Sequence, residues 1–450
     1  MFSELLFNSL RSLRQRTTSE AALSRKVLKE LNQLADRPYY HGYISIDDCE
    51  PMMLEEGDFL VRTTEEEGER VEVISVMCRG KVRHALLVRT VHSRVKVHNF
   101  TFDTIEKLVH WYMTTGTSLL PGSAVVLKRP VKRQKWELVH DQVKRGKKIG
   151  KGEFGDVVKG TLWLTEQSIP KTVAIKVLKG SPADKQAAGD KQQNIEPGGI
   201  MAALNKQQIE VIWQEARVMR KLKHKNIVIF WGIAARREPV MIVMEFVCGG
   251  SLLSYLQTWN HLLKHRDHGK YCTDVTRGLA YLHSRDPPII HADMAARNCL
   301  IDTRIEVVKV GDFGLSRNPK DPHKIPKLAV RHAAPELFET KTPSEASDVF
   351  ALAVTIWEVY TNAAEKPFSN CSALQVAKDV AAGARVTLPE TVVTPVKNLV
   401  AQCLLRHPDQ RPTIMEVLHE MERVHRIKLT AAFAADEDND LHEHAAVYDD

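Results

Sequence analysis

The stretch that decides the fold is His-Ala-Asp-Met-Ala-Ala-Arg-Asn at residues 291–298, followed by Asp-Phe-Gly at residues 312–314. Asp293 is a carboxylate that can accept the proton of an attacking hydroxyl group. Asn298 and Asp312 carry oxygen atoms that can ligate a divalent metal bound to phosphates. An isolated Asp-Phe-Gly is usually a turn, so this interpretation depends on the rest of the chain.

Length and composition are those of ordinary globular domains. The chain has 450 residues, of which 43% are hydrophobic and 26% charged, so two or three domains are expected. Its seven cysteines form no close CxxC pair and do not have the spacing of a zinc site, and their odd number argues against a disulfide framework. A reducing, cytoplasmic setting is therefore favoured. The net charge of +7 is modest and predicts no nucleic-acid partner.

No apolar run reaches the roughly 18 residues of a membrane span. The most apolar stretch, residues 349–360, is interrupted by Glu358 and predicts a buried helix. Residues 1–38 form a predicted N-terminal helical segment with leucines at helical spacing and interleaved arginines. This segment packs on a neighbouring domain or lies as a basic amphipathic helix on an anionic membrane, and both alternatives stay open.

Residues 39–131 are rich in short strand patterns flanked by two helical segments. Arg62 ends the apolar sequence Phe-Leu-Val and would be a buried cation, which is unfavourable unless the guanidinium meets an anion. A phosphotyrosine carries about −1.5 to −2 charges and suits a bidentate guanidinium. The alternative is an arginine side chain on the surface at a strand end. The ordered motifs are Tyr40-His41-Gly42, residues 57–62, residues 71–77, Arg83-His84 and residues 102–112.

These motifs together resemble a Src-homology 2 (SH2) domain, which implies binding to phosphotyrosine-containing proteins. Ile46 stands where many members of that family have a second arginine, so we expect weaker binding. Ala85 stands where an aromatic residue is common, so the preference for residues after the phosphotyrosine is not predicted. The resemblance implies a phosphotyrosine pocket formed by Arg62, Thr64, Arg83 and His84.

A linker at residues 132–143 leads to the glycine-rich stretch at residues 150–157 and to Val-Ala-Ile-Lys at residues 173–176. Glycines let the backbone approach phosphate oxygens, and Lys176 on a strand can bind the α- and β-phosphates. Taken singly, the two patterns are a hairpin turn and an edge strand with a solvated lysine. Their order and spacing favour a nucleotide site.

Lys176 needs an acidic partner, and the amphipathic helix predicted at residues 207–223 offers Glu215. The separation, 215 − 176 = 39 residues, is lengthened by a polar insertion at residues 180–205 that cannot bury a core and is predicted to be flexible. A solvated partner of Arg220 is the alternative role for Glu215. The apolar strand at residues 240–246 is predicted to end in the hinge between two lobes.

Residues 136–429 resemble a protein kinase, and more narrowly a cytoplasmic tyrosine kinase with an SH2 domain, closest to the Fes/Fer group. Ala295-Ala296-Arg297 has the form typical of tyrosine rather than serine/threonine kinases. The resemblance implies an α+β chain: an SH2 domain with a central antiparallel sheet and two helices, then a two-lobed kinase domain at residues 144–429. It also implies transfer of the ATP γ-phosphate to tyrosine in protein substrates, with Mg²⁺, or alternatively Mn²⁺, as the metal. Residues 430–450 are predicted to be an acidic disordered tail.

The site residues implied by the kinase resemblance fall into three sets. The catalytic set is Asp293, Arg297, Lys176 and Glu215. The metal set is Asn298 and Asp312. The nucleotide-binding set is Ile149, Gly150, Gly152, Glu153, Phe154, Gly155, Val157, Ala174, Lys176, Met244, Glu245, Val247 and Leu300.

Several residues depart from the kinase pattern. Ala292 replaces the arginine that ordinarily receives an activation-loop phosphate, and no tyrosine lies between residues 315 and 334, so we expect loop phosphorylation not to be the switch. Ala329 and His332 replace a common proline and tryptophan. These changes keep open an alternative function, an SH2 adaptor whose second domain is an inactive pseudokinase.

Two structural roles are also predicted in the second domain. Glu336 and Arg411 are expected to form a buried ion pair. Asp348 is expected to anchor the backbone of the catalytic loop, with a helix N-cap as the alternative.

Overall fold

The computed structural model of the protein describes residues 17–66, 69–120, 124–151, 155–165, 167–178, 206–317 and 328–425, without the side chains of residues 17–25, 69 and 206–208. The predicted insertion at residues 180–205 and the predicted tail at residues 430–450 lie outside the described residues. The chain divides into two units. The first comprises Met1–Arg217 and Trp231–Met244, and the second Val218–Phe230 and Glu245–Asp450.

The secondary structure mixes strands and helices along the whole chain, and the predicted α+β class is confirmed. The strands are β1 (Tyr40–Gly42), β2 (Asp58–Glu66), β3 (Glu69–Cys78), β4 (Lys81–Arg89), β5 (Val95–Val97), β6 (Phe100–Phe102), β7 (Arg129–Pro130), β8 (Val143–Lys151), β9 (Gly155–Leu162), β10 (Lys171–Leu178), β11 (Phe230–Ala234), β12 (Met241–Glu245), β13 (Cys299–Asp302) and β14 (Val307–Val310). The α-helices are α1 (Thr17–Leu34), α2 (Ile46–Cys49), α3 (Ile105–Thr115), α4 (Lys206–Met219), α5 (Leu252–Trp259), α6 (His265–His283), α7 (Leu337–Thr340), α8 (Glu345–Tyr360), α9 (Ala373–Ala382), α10 (Thr394–Cys403) and α11 (Ile414–His425).

The SH2-like region of the first unit is a sheet in the order β1-β2-β3-β4-β5-β6, with β7 beside β2. Side chains alternate between the two faces of a strand, so Phe59 and Val61 of β2 point to one face and Arg62 to the other. Phe59 and Val61 lie in a core that includes Ile105 and Leu108 of α3. Arg62 therefore stands on the face opposite α3.

Helix α1 packs on this same core. Leu31, Leu34 and Ala35 are buried in it. The Glu30 carboxylate accepts hydrogen bonds from the Ile105 amide at 2.9 Å and from Arg89 at 2.7 Å, which satisfies a donor in the first turn of α3. Helix α1 therefore agrees with the first of the two alternatives for the N-terminal segment, packing on a neighbouring domain. The arginine-rich residues before Thr17 lie outside the described residues.

The remainder of the first unit contains a five-stranded sheet in the order β11-β12-β10-β9-β8. Val173, Ile175 and Val177 on β10 belong to its apolar core. Gly155 at the start of β9 lies so close to β10 that an added Cβ would be 1.7 Å from the Val177 carbonyl oxygen. Only glycine fits there, and it allows β9 to pair with β10 to its end.

Helix α4 is attached to the SH2-like region by side chains from both. The buried Trp213 indole donates a hydrogen bond to the Tyr43 carbonyl oxygen and stacks edge-on against Trp136 of the linker, with 5.5 Å between ring centroids. Arg217 donates to Asp48 at 2.8 Å and to Ser45 at 3.2 Å. These contacts hold the described part of α4 against the SH2-like region.

The second unit is mostly helical, with β13 and β14 paired antiparallel. Thirteen of the sixteen residues of α8 are buried, which agrees with the buried helix predicted at residues 349–360. Ser344 caps this helix by accepting a hydrogen bond from the Ser347 amide at 3.2 Å. Among the residues that the structure describes, no helix combines the length and apolarity needed to cross a bilayer.

Candidate active site and anion-binding pocket

Lys176 and Glu215 form the predicted ion pair in the first unit. Lys176 Nζ lies 2.6 Å from Glu215 Oε2, and both side chains are buried, with 8% and 1% exposed. A buried charge is stable only when it is paired and hydrogen-bonded. The contacts of Trp213 and Arg217, two residues to either side of Glu215 on α4, therefore also support the position of Lys176.

Strand register places part of the predicted nucleotide set around this lysine. Gly150 of β8 is paired with Val157 of β9, which is paired with Lys176 of β10, so the three residues stand at one level across the sheet. Ile149 is 48% exposed on β8, and Ala174 is buried two residues before Lys176. Met244, near the end of β12, is half-buried. The predicted residues Gly152, Glu153 and Phe154 lie outside the described part of the chain.

In the second unit, Asp293, Arg297 and Asn298 are brought together at the catalytic loop. Arg297 donates a hydrogen bond to Asp293 Oδ1. Asn298 Nδ2 donates to Asp293 Oδ2 at 2.8 Å and to the Asp293 carbonyl oxygen at 2.7 Å. These bonds orient the carboxylate of Asp293. They also use the amide nitrogen of Asn298 and not its side-chain carbonyl oxygen, which is the atom that can ligate a metal.

Asp348 of α8 anchors this loop, as predicted. Its carboxylate accepts hydrogen bonds from the amides of His291 at 2.7 Å and Ala292 at 2.9 Å, and His283 Nε2 lies 3.0 Å away. Ala292 has φ = 64°, in the left-handed region that is unfavourable for a residue with a Cβ. The carboxylate thus holds a strained backbone directly before Asp293.

Glu358 is a second anchor that the sequence analysis missed. It is buried on α8 and accepts a hydrogen bond from the Ala296 amide at 2.8 Å. His332 Nε2 is 3.1 Å from the same carboxylate oxygen, so the residue that replaces the usual tryptophan packs beside this anchor. The signal was present, because Glu358 interrupts an apolar helix and a buried carboxylate needs donors.

The Asp-Phe-Gly segment has a buried phenylalanine and an exposed aspartate. Phe313 is fully buried, with its ring centroid 5.4 Å from that of His291. Asp312 is exposed and has φ = 60°. The Asp312 carboxylate and the Asn298 carbonyl are hard oxygen ligands of the type that Mg²⁺ accepts, and Mg²⁺ normally takes only one or two protein ligands, with phosphates and water as the rest. The described residues contain no cluster of three or more His, Cys, Asp or Glu side chains suited to a metal.

Three residues of the predicted nucleotide-binding set, Glu245, Val247 and Leu300, lie in the second unit. The Glu245 carboxylate accepts hydrogen bonds from Lys309 at 3.0 Å and from the Ile229 amide at 3.2 Å, so its side chain is already engaged. Val247 is buried, and Leu300 is half-buried on β13. Any contact of Glu245 with a nucleotide would therefore come from its backbone.

The described parts of the activation loop are held at both ends. Ser316 is fully buried and donates to the His291 carbonyl oxygen at 3.2 Å, and the backbones of Arg317 and Ile290 are paired. Arg411 donates two hydrogen bonds of 2.7 Å to Glu336, which confirms the predicted ion pair.

The predicted phosphotyrosine pocket has Arg62 at its base. Arg62 is 4% exposed, and its Nε donates to Ser75 Oγ at 3.2 Å. Burial lowers the pKa of the guanidinium because the charged form loses hydration. Ser75 Oγ is 2.8 Å from His84 Nδ1 on the neighbouring strand. His84 therefore lies on the same face of the sheet as Arg62, linked to it through Ser75, a residue that the sequence analysis did not name.

One predicted pocket residue is misplaced. Arg83 pairs in register with Val76, which belongs to the core on the α3 side of the sheet, so Arg83 stands on the face opposite His84. The prediction that Arg83 lines the pocket is wrong because adjacent residues of a strand point to opposite faces. Thr64 shares the face of Arg62, two residues along β2.

Comparison with known proteins agrees with this architecture. The family described as "SH2 domain" matches residues 39–112, and the family described as "Protein tyrosine and serine/threonine kinase" matches residues 199–421. Fer-related kinase 1 of Caenorhabditis elegans is 33% identical over 394 residues, which cover 86% of this chain and 93% of that protein. Tyrosine-protein kinase Fer of Homo sapiens is 30% identical over 416 residues, 91% of this chain and 46% of that protein. Spermatocyte protein spe-8 of Caenorhabditis elegans is 32% identical over 370 residues, 81% of this chain and 67% of that protein.

The same order of an SH2 domain followed by a kinase domain extends over 93% of Fer-related kinase 1 at 33% identity. The chain belongs to the Fer/Fes-related family of SH2-containing, non-receptor protein tyrosine kinases.

Proposed function

We propose that Lys176 binds the α- and β-phosphates of ATP while Glu215 holds the lysine in place. The 2.6 Å pair is the support for this role, because it holds the ammonium group of a lysine whose Cα is level with Val157 and Gly150 across the sheet. A preorganised cation in a water-poor setting acts on phosphate charge more strongly than a solvated one.

In the second unit, we propose that Asp293 accepts the proton of the tyrosine hydroxyl and that Arg297 fixes the carboxylate that does so. Asn298 and Asp312 would hold Mg²⁺, which neutralises phosphate charge when bound; Mn²⁺ is the alternative metal. The observation that carries the proposal is the hydrogen-bonded group of Asp293, Arg297 and Asn298, anchored by Asp348. This group orients an acceptor for a proton and one oxygen ligand at once.

Purified full-length protein with Mg²⁺, labelled ATP and a glutamate–tyrosine copolymer tests this function directly. We expect phosphotyrosine to form, and Asp293→Asn to abolish its formation in a protein that still shows a cooperative thermal unfolding transition. Serial replacement of Mg²⁺ by Mn²⁺ compares the two metals. Absence of transfer with either metal by a folded protein would contradict the proposal and favour the SH2 adaptor with an inactive second domain.

The SH2 domain is proposed to bring phosphotyrosine-containing proteins to the enzyme through Arg62. All seven cysteines are free thiols, which supports the proposal of a reducing, cytoplasmic location. For the basic residues before Thr17, we retain peripheral contact with an anionic membrane as a proposal. Sedimentation with phosphatidylserine vesicles tests it, and binding that is unaffected by removal of residues 1–16 would contradict it.

A further inference from the structure

Four side chains form a chain of contacts across the phosphotyrosine pocket. Arg62 Nε donates to Ser75 Oγ at 3.2 Å, Ser75 Oγ lies 2.8 Å from His84 Nδ1, and His84 Nε2 lies 3.3 Å from Glu50 Oε1. Glu50 comes from the short 3-10 helix after α2, whereas the other three residues come from neighbouring strands. The contacts therefore bring a carboxylate into the vicinity of the arginine that would bind phosphate.

The hydrogen bonds can all be made with a neutral His84. The Ser75 hydroxyl accepts from Arg62 and donates to Nδ1, while Nε2–H donates to the Glu50 carboxylate. Burial and the nearby Arg62 lower the pKa of His84, so the imidazole does not add a positive charge to the free pocket near neutral pH. The charges of this chain of contacts are then one guanidinium and one carboxylate.

The residues around Arg62 that the structure describes add no further positive charge that would attract a dianionic ligand. Ile46, where many SH2 domains have a second arginine, supplies no charge. The Glu66 carboxylate also acts electrostatically on Arg62, together with that of Glu50. A phosphate group that approaches Arg62 would thus meet the like charge of Glu50, which is bonded to His84 and is 47% exposed at the pocket.

We propose that Glu50 is a specificity-determining residue of the SH2 pocket, which weakens the binding of a dianionic phosphotyrosine by electrostatic repulsion and favours a monoanionic ligand relative to it. This inference rests on the proposed function of Arg62 as the phosphate-binding residue. The repulsion is proportional to the charge of the ligand, so its effect on the binding free energy of a dianion is twice that on a monoanion of the same shape.

The test measures dissociation constants of the full-length protein for N-acetyl-phosphotyrosine amide and N-acetyl-sulfotyrosine amide by NMR titration at pH 7.5 and low salt. The substitution Glu50→Gln removes the charge but keeps an oxygen that can accept from His84. We expect it to tighten binding of the phosphorylated ligand about tenfold and of the sulfated ligand about threefold, the square root of the first change. High salt should reduce both changes.

Two further variants separate the explanations. Glu106→Gln changes the net charge equally but lies on α3, on the other face of the sheet, and should leave both constants unchanged. Arg62→Lys should abolish binding at the SH2 pocket in either background, so any binding that remains in this variant comes from another site, such as the nucleotide site. If wild-type binding depends on Arg62 and Glu50→Gln leaves it unchanged or weakens it, the role of Glu50 is refuted while the SH2 function stands. If neither wild type nor Glu50→Gln shows Arg62-dependent binding, the phosphotyrosine function fails, and the proposal fails with it.

Discussion

Replacement of Asp348 by asparagine should both destabilise the second unit and slow the reaction. The carboxylate accepts hydrogen bonds from two successive amides, those of His291 and Ala292. Asparagine keeps one acceptor oxygen and presents an NH₂ group to the other amide, so one bond is lost and one buried donor is left unpaired. Hydrogen bonds to a charged group contribute about 1.5–3 kcal/mol each, so we expect a loss of about 2–4 kcal/mol of unfolding free energy.

The catalytic effect follows from the strain at Ala292. A residue held in a sparsely populated backbone region is unfavourable by about 1–3 kcal/mol, which is comparable to the stabilisation that the substitution removes. The backbone before Asp293 would then relax toward φ < 0, and Asp293 would leave its position. Since about 1.4 kcal/mol corresponds to a factor of ten in rate, we expect kcat to fall roughly tenfold to a hundredfold.

Urea unfolding followed by tryptophan fluorescence measures the first effect, and steady-state transfer to a tyrosine copolymer measures the second. Glu390→Gln, which removes a carboxylate whose side chain is 97% exposed, is the matched control and should change neither quantity. An Asp348→Asn protein with the unfolding free energy and kcat of the wild type would refute the reasoning.

Three other outcomes are expected. Glu215→Gln removes the carboxylate that lies 2.6 Å from the buried Lys176 ammonium group and should reduce kcat/KM for ATP about tenfold to a hundredfold. Glu210→Gln on the same helix should not reduce it, and an equal effect of the two substitutions in steady-state kinetics would contradict this prediction. Phosphatase treatment should leave the specific activity unchanged, because Ser316 is fully buried and Ala292 offers no cation to a phosphate on the activation loop. Loss of activity after phosphatase treatment would show that phosphorylation does control the enzyme. Burial, and then Arg62, lower the pKa of His84, and a bound phosphotyrosine dianion should raise it, so binding should take up a proton and tighten as the pH falls from 8 toward about 6.5. Calorimetry in buffers of different ionisation enthalpy measures this proton uptake, and the uptake should vanish in His84→Gln. Binding that does not depend on pH would contradict the prediction.

The residues predicted best from the sequence are those whose chemistry demands a partner. Lys176 required an acid, and Glu215 was assigned to it across an insertion because the next amphipathic helix carried a suitable carboxylate. Glu336 and Arg411 were paired for the same reason. A buried charge restricts the acceptable partners so strongly that residue type and order along the chain suffice.

The errors concern direction and register. Arg83 was assigned to the pocket with His84 although adjacent strand residues face opposite ways, so the alternation of β4 could have excluded one of them. Ser75 enters the pocket because it pairs in register with His84, and that register depends on the turn between β3 and β4. Glu50 could not be predicted, because its distance to His84 is set by how a short helix packs beside the sheet.

The packing of α1 has a practical consequence for work on the isolated SH2 domain. A recombinant fragment starting at Tyr39, where the family match begins, would lack Leu31, Leu34 and Ala35 from its interior. It would also lose the Glu30 carboxylate that bonds the start of α3. Apolar surface uncovered in this way promotes aggregation. The N-terminal boundary of such a fragment should therefore precede Thr17, so that the whole of α1 is retained.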